Sequence, residues 1–278
     1  MIAYFMLVHR YPSQFKRLFK SIYHEENYYL IHVDKRSDKR IYDEIGLFLT
    51  NYENASLLES KEAIWGGYSL VDAQLRAIEK FVITGGKWDY FINLSGQDFP
   101  LKSQDFIMNY LREFNCCEFI KVLNQNLSRP ETIHRIKNYV QEINGELVVS
   151  TENSRPFLEG VTPYIGNQWM ILSKRFCEFI TYSSELKVFK NFYRNTLIAD
   201  ESFFQTVLMN TEFKPKIIND DKREIDWVES SDIKLRPRDF LSEDSEMLIN
   251  SQNLFARKFD ENIDRNILNI LENNIKQS

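Results

Sequence analysis

Apolar residues in this chain fall into short continuous runs separated by amphipathic stretches. Residues 2–8 form an unbroken apolar run, which predicts a buried strand. Phe15, Leu18, Phe19 and Ile22 recur at helical spacing and predict a helix over 12–23. Tyr28 to Val33 is a second apolar strand, ending at Asp34. Residues 38–49 read as a helix and Ala55 to Leu58 as a short strand. Leu70, Ala73, Leu75, Ala77, Ile78 and Phe81 give a helical period over 70–82, with Ser69 as the N-cap. A strand at 89–94, a helix at 104–114 and a strand at 118–122 follow. Alternating strands and helices predict an α/β fold, a mostly parallel central sheet flanked by helices.

The second part is less regular. Residues 123–165 form an excursion with a polar helix and a hairpin around Glu146 to Ser150. Residues 168–172 read as a strand, 174–182 as a helix, and 199–210 as a helix rich in aromatics. The tail over 243–275 is helical at both ends, around Leu254 to Asp260. With no repeat, linker or shift in composition, the pattern predicts a single domain, with halves at about 1–122 and 123–278.

Composition narrows the function. The 278 residues are 43% hydrophobic and 27% charged, enough for a sizeable core. A net charge of −5 with dispersed Lys and Arg argues against a nucleic-acid binder, yet leaves room for a local cationic pocket. Cys116, Cys117 and Cys177 lack metal-ligand spacing; the adjacent pair reads as reduced core residues, implying a reducing compartment. No run approaches the ~20 apolar residues of a membrane span. The opening run has no basic region before it and continues into His9-Arg10, so it reads as a strand and not a signal peptide. A cytoplasmic location is expected, at the inner face of the membrane if the chain associates peripherally.

Several segments carry candidate chemistry. Asn93 to Pro100 follows an apolar strand with a polar turn, the way α/β enzymes present chemistry at strand ends; Pro100 is expected to stop further pairing. Ile31 to Arg36 places Asp34, Lys35 and Arg36 at another strand end, suited either to a nucleotide or to a solvated turn. Trp65-Gly66-Gly67-Tyr68-Ser69 offers close backbone approach between two aromatics. Asp200 and Glu201 stand at a helix start, where they serve the dipole or place Glu201 as a general base. Arg236-Pro237-Arg238 and Arg257-Lys258-Phe259 supply cations for a diphosphate or for surface ion pairs. His24 and His134 stand alone and read as ordinary residues. The chain contains no GxGxxG, Walker loop, HExxH, GxSxG or Asp-x-Asp.

Taken in order, Met6 to His9, Ile31 to Asp34, Trp65 to Val71, Tyr90 to Pro100, Gly166 to Trp169, Asp200-Glu201 and Leu254 to Asp260 resemble the core-2/I-branching β-1,6-N-acetylglucosaminyltransferase family, which includes peptide O-xylosyltransferases. The resemblance implies a GT-A fold and inverting transfer from a UDP-sugar, GlcNAc or xylose, to a hydroxyl of a glycan or lipid-linked glycan. It implies no divalent metal and no cofactor, with basic side chains on the diphosphate instead. It makes Glu201 the catalytic base, puts Lys258 and either Arg236 or Arg238 on the diphosphate, and puts Val8, His9, Asp34, Lys35, Arg36 and Trp65 on the nucleotide. Residues 1–122 become the nucleotide-binding half and 123–278 the acceptor side. Asp98 is expected to line the donor-sugar end, and Arg135, Tyr139, Trp169 and Trp227 to face the acceptor. The absence of the animal members' anchor, stem and disulfide pattern suggests a bacterial-type member making surface polysaccharide or glycoconjugate. The alternative is a non-catalytic nucleotide-sugar-binding protein of the same fold.

Overall fold

Seven strands hydrogen-bond into one sheet in the computed structural model, which describes residues 1–114, 116–150, 154–229 and 236–277. β1 (Ile2–Val8) lies inside it, with β2 (Tyr28–Val33) and then β3 (Ala55–Leu57) parallel on one side. β4 (Tyr90–Ser95) pairs parallel on the other side. Beyond it, strand Met170–Ser173 runs antiparallel to both β4 and Glu118–Ile120, and Ile217–Ile218 closes the edge. The expected α/β architecture with a mostly parallel sheet is therefore present.

The pleat sends successive side chains of β1 to opposite layers. Tyr4, Met6 and Val8 meet α1 (Pro12–Ile22), α2 (Lys39–Leu49) and the helix Asn266–Gln277. Ala3 and Phe5 meet α3 (Ser69–Thr84) and the helices Lys174–Tyr182 and Phe203–Met209. Removing a buried aromatic such as Phe91 from this packing would cost about 3–5 kcal/mol.

Local chemistry departs from the sequence pattern at four places. Ser69 is the first residue of α3 and not its cap; its hydroxyl accepts the Ile64 N–H, while its own N–H donates to Glu142. Pro100 does not end pairing, because β5 (Asp98–Pro100) runs antiparallel to Phe255–Arg257, which also pairs with Arg223–Ile225. The aromatic helix is split, a 3-10 turn at Ala199–Glu201 preceding Phe203–Met209. Cys116 is exposed and Cys117 half-buried, so only Cys177 is a core thiol.

The excursion after Glu118–Ile120 begins and ends side by side. Leu123–Asn124 pairs antiparallel with Tyr164–Ile165, and the expected hairpin is present as Tyr139–Ile143 with Glu146–Ser150. At its exit, a Cβ on Gly166 would stand 2.0 Å from the Lys121 carbonyl oxygen, so only glycine permits this approach.

Glu118, on the strand next to the edge of the sheet, is fully buried and accepts hydrogen bonds from the Ser173 N–H and hydroxyl. Burial pushes its carboxyl up to about 7, against the opposing effect of those hydrogen bonds. A raised acid holds its proton more tightly in the folded state. Its contribution is therefore full below the unfolded value near 4.5 and is lost as pH rises through about 7. Glu118→Gln is expected to remove up to roughly 3 kcal/mol of stability loss between pH 5 and 8. Urea denaturation of both proteins across that range checks it; parallel pH profiles would contradict the assignment.

Candidate functional site

The carboxyl ends of β1, β2 and β4 open onto one cleft of about 220 Å³. Backbone bonds lock its floor: Asp34 N–H donates to Val8 O at 2.9 Å and Gly96 N–H to Leu7 O at 2.9 Å. Val8, His9, Asp34, Arg36 and Trp65, all anticipated from sequence, line it. Asp34 accepts from the Arg36 N–H at 2.9 Å, and Arg36 Nη2 donates to Ala63 O at 2.8 Å, tying the end of β2 to the segment before Trp65. Trp65 stands 65% exposed at the mouth, offering an uncovered ring face. Lys35 does not line the cleft: it is exposed in the turn closed by Ser37 N–H to Asp34 O.

Asp98 is fully buried and does not line the cleft itself. One oxygen accepts the Ser95 N–H at 2.8 Å and the other accepts Arg257 Nη1 at 2.7 Å. The strand register sets this pair by placing Asp98 opposite Arg257. Arg257 does reach the cleft, with its guanidinium carbon 4.6 Å from the centre of the Trp169 ring. Trp169 is 3% exposed and lines the same cavity as Asp34 and Arg36, where it backs the arginine.

The remaining cations differ sharply. Arg238 is fully engaged: its Nε donates to Asp226, and its two terminal nitrogens form a bidentate pair with Asp244 at 2.8 and 2.6 Å. Those hydrogen bonds raise its pKa further. Lys258 lies 3.7 Å from Asp239, a loose pairing, with its carbonyl accepting the Phe240 N–H. Arg236 is exposed on a short ribbon with Trp227–Val228, and its side chain makes no ion pair among the described residues. Trp227 is 41% exposed on that ribbon.

Glu201 sits outside the cavity lining but is coupled to it. Gly166 N–H donates to Glu201 O at 2.8 Å, and two residues later the chain enters the cleft wall at Gln168. Its carboxylate accepts from Arg135 Nη1 at 2.8 Å. Burial lifts its pKa, opposed by Arg135, which gives a carboxylate of raised basicity held in one orientation. Asp200 beside it is nearly fully buried and pushed up to about 7, first by burial and then by Glu201. Tyr139 begins the hairpin whose Glu142 meets the start of α3.

Sequence reasoning named Arg257 only within a cluster suited to a diphosphate or to surface ion pairs, and gave His32 no role. His32 lines the cleft at 1% exposure, and its Nε2 accepts the Lys61 N–H. Burial, then Arg76, lowers its pKa to about 4, so the ring is neutral with its proton on Nδ1, which has no partner. A histidine inside an apolar strand gave no sign of this; only the position of Lys61 does. Behind the cleft, Asn93 bridges Gln168 O and Met170 N–H, and Arg223 donates to Asn93 O. Among the described residues no group of three His, Cys, Asp or Glu side chains is arranged to hold a metal ion.

Residues 2–248 match the Core-2/I-Branching enzyme family. A xylosyltransferase of Ciona intestinalis is 32% identical over 290 residues, covering 98% of this chain and 34% of its own length. Xylosyltransferase 2 of Rattus norvegicus is 30% identical over 292 residues, covering 98% and 33%. The chain thus spans about a third of these relatives. Among solved structures, the galactosyltransferase LgtC with donor and acceptor sugar analogues aligns over 78% of this chain and 72% of its own, at 11% identity and a TM-score of 0.42. Mouse xyloside xylosyltransferase 1 in its apo form aligns over 77% and 83%, at 12% identity and a TM-score of 0.38. The sequence match across nearly the whole described fold decides the matter: the chain belongs to the Core-2/I-branching enzyme family.

Proposed function

We propose that the chain is a glycosyltransferase, moving a sugar from a UDP-sugar to a hydroxyl of a glycan acceptor with inversion and without a divalent metal. The observation that carries this reading is the cleft at the strand ends. It combines nucleotide-suited groups (Asp34, Arg36, Trp65) with a guanidinium, Arg257, fixed at its floor by a buried carboxylate. The relatives named xylosyltransferases support a UDP-sugar donor, with xylose as the first candidate and GlcNAc as the second.

In this mechanism Val8, Asp34, Arg36 and Trp65 hold the nucleoside, and Arg257, Lys258 and Arg236 face the diphosphate. Glu201 takes the proton of the acceptor hydroxyl. The freed oxygen attacks the anomeric carbon as the bond to UDP breaks on the opposite side. Charge then grows on the departing diphosphate, where a preorganised cation such as Arg257 contributes about 3 kcal/mol. Arg135 keeps Glu201 oriented, and Tyr139 and Trp227 are acceptor-side candidates. Arg236 is preferred over Arg238 because Asp226 and Asp244 already saturate the latter.

Transfer from UDP-xylose, measured as UDP release with an acceptor panel, tests the reading; binding with neither transfer nor hydrolysis would favour the non-catalytic alternative. Glu201→Gln is expected to lower turnover by about 10³-fold while leaving UDP affinity nearly unchanged. Turnover near that of the wild type would remove Glu201 as the base. Activity should persist in EDTA; loss that Mn²⁺ restores would overturn the metal-free mechanism. Arg236→Ala and Lys258→Ala should each weaken UDP about tenfold and uridine little. Arg238→Ala should instead lower the melting temperature. Calorimetric titration and thermal melts separate the two patterns, and the reverse result would exchange Arg236 with Arg238.

A further inference from the structure

A second cavity, of about 740 Å³, lies between α1, the start of α4 (Gln104–Glu113) and the helix Asn266–Gln277. It shares no lining residue with the cleft. Four cations line it, Arg17, Lys20, Arg265 and Lys276, against one carboxylate, Glu272, in a chain whose net charge is −5. Glu272 is taken by Arg17 Nε at 2.7 Å. Lys20, Arg265 and Lys276 make no ion pair among the described residues.

Two buried donors on this wall also lack acceptors. Arg17 is clamped by Glu272 and by Asn269 at 2.6 Å, yet its Nη1 has no partner. Gln104 is 8% exposed; its carbonyl accepts the Tyr4 hydroxyl at 2.9 Å, which leaves Nε2 unpaired. Gln104 is also the first residue of α4, where backbone N–H groups and the helix dipole favour negative charge. Unsatisfied donors inside a protein are costly, and three unpaired cations crowded on an acidic molecule call for a counter-charge.

We propose that this cavity is a second ligand site that takes a phosphate group. A doubly charged tetrahedral oxyanion offers acceptors to both orphan donors and to the start of α4 at once, and its charge offsets the unpaired cations. The open volume exceeds that of a lone phosphate, so the group is carried on a larger molecule, either a soluble phosphate ester or a lipid headgroup.

Calorimetric titration with inorganic phosphate, and co-sedimentation with phosphatidylglycerol or phosphatidylcholine vesicles, test the site. The triple variant Lys20→Glu/Arg265→Glu/Lys276→Glu changes only exposed side chains and is checked for folding by its thermal melt; should it fail to fold, Lys20→Gln/Lys276→Gln replaces it. Phosphate binding should fall about tenfold in this variant and remain unchanged in Lys258→Ala, which reports on the cleft. Gln104→Met, which removes the buried donor without altering charge but also the acceptor of the Tyr4 hydroxyl, is checked for folding by its thermal melt and should also weaken phosphate binding measurably. Capture by phosphatidylglycerol vesicles but not phosphatidylcholine, lost in both variants and without binding of free phosphate, would assign the phosphate to a lipid headgroup. Binding of neither probe, binding indifferent to Gln104→Met, or binding lost in Lys258→Ala would overturn the proposal.

Discussion

The buried pair between Asp98 and Arg257 is the contact on which the arrangement of the cleft depends. A carboxylate with no exposure is tolerable only when its lone pairs are met, and Ser95 and Arg257 meet them from opposite sides. The pair joins residues 159 apart in sequence, stitching the turn after β4 to a strand near the end of the chain. Three things then follow together: the register of β5 against Phe255–Arg257, the position of Lys258 next in the chain, and the burial of Trp169 under a guanidinium. An ion pair of this kind adds little to stability relative to an apolar replacement, but it forbids slipped registers that would strand either charge.

The cleft and the Glu201 turn are separate pieces joined by hydrogen bonds of the main chain. Glu201 reaches the cleft wall through Gly166, and the Trp65–Ser69 segment reaches the same turn through Ile198 N–H to Gly66 O at 2.7 Å. Gly66 holds φ +78, a conformation that most side chains resist. Two glycines thus set the spacing between a nucleotide-suited wall and a carboxylate of raised basicity. Side chains do the rest, with Arg135 opposing the burial that lifts Glu201.

Much of this was legible in the sequence, and the limits have physical causes. The first four strands and helices follow their periodicity closely because each buries a face against the sheet. The strand ends carrying Val8, Asp34 and Asn93 were readable because polar residues follow apolar runs there. Other features arise from contacts remote in sequence. That Asp98 faces a guanidinium instead of the cleft depends on an antiparallel register, which no local pattern encodes. Lys35 falls outside the cleft because the chain turns there, with Ser37 N–H closing onto Asp34 O. Arg236 and Arg238 look alike in sequence; only the placement of Asp226 and Asp244 tells them apart. Ser69 had the composition of a cap, but a donor upstream and a carboxylate from the hairpin claimed it first.

The paired stems at Leu123–Asn124 and Tyr164–Ile165 bring the two ends of the stretch 125–163 side by side. Because its two ends meet at a single point, the parts of the segment away from Arg135 and Glu142 can be lengthened or shortened at the modest entropic cost of closing a longer loop. An exchange that keeps Arg135 on Glu201 and Glu142 on the Ser69 N–H leaves the scaffold on either side, including the Gly166 contact, in place. Descendants of one ancestral chain can therefore diversify on this flank while inheriting the opposite wall intact.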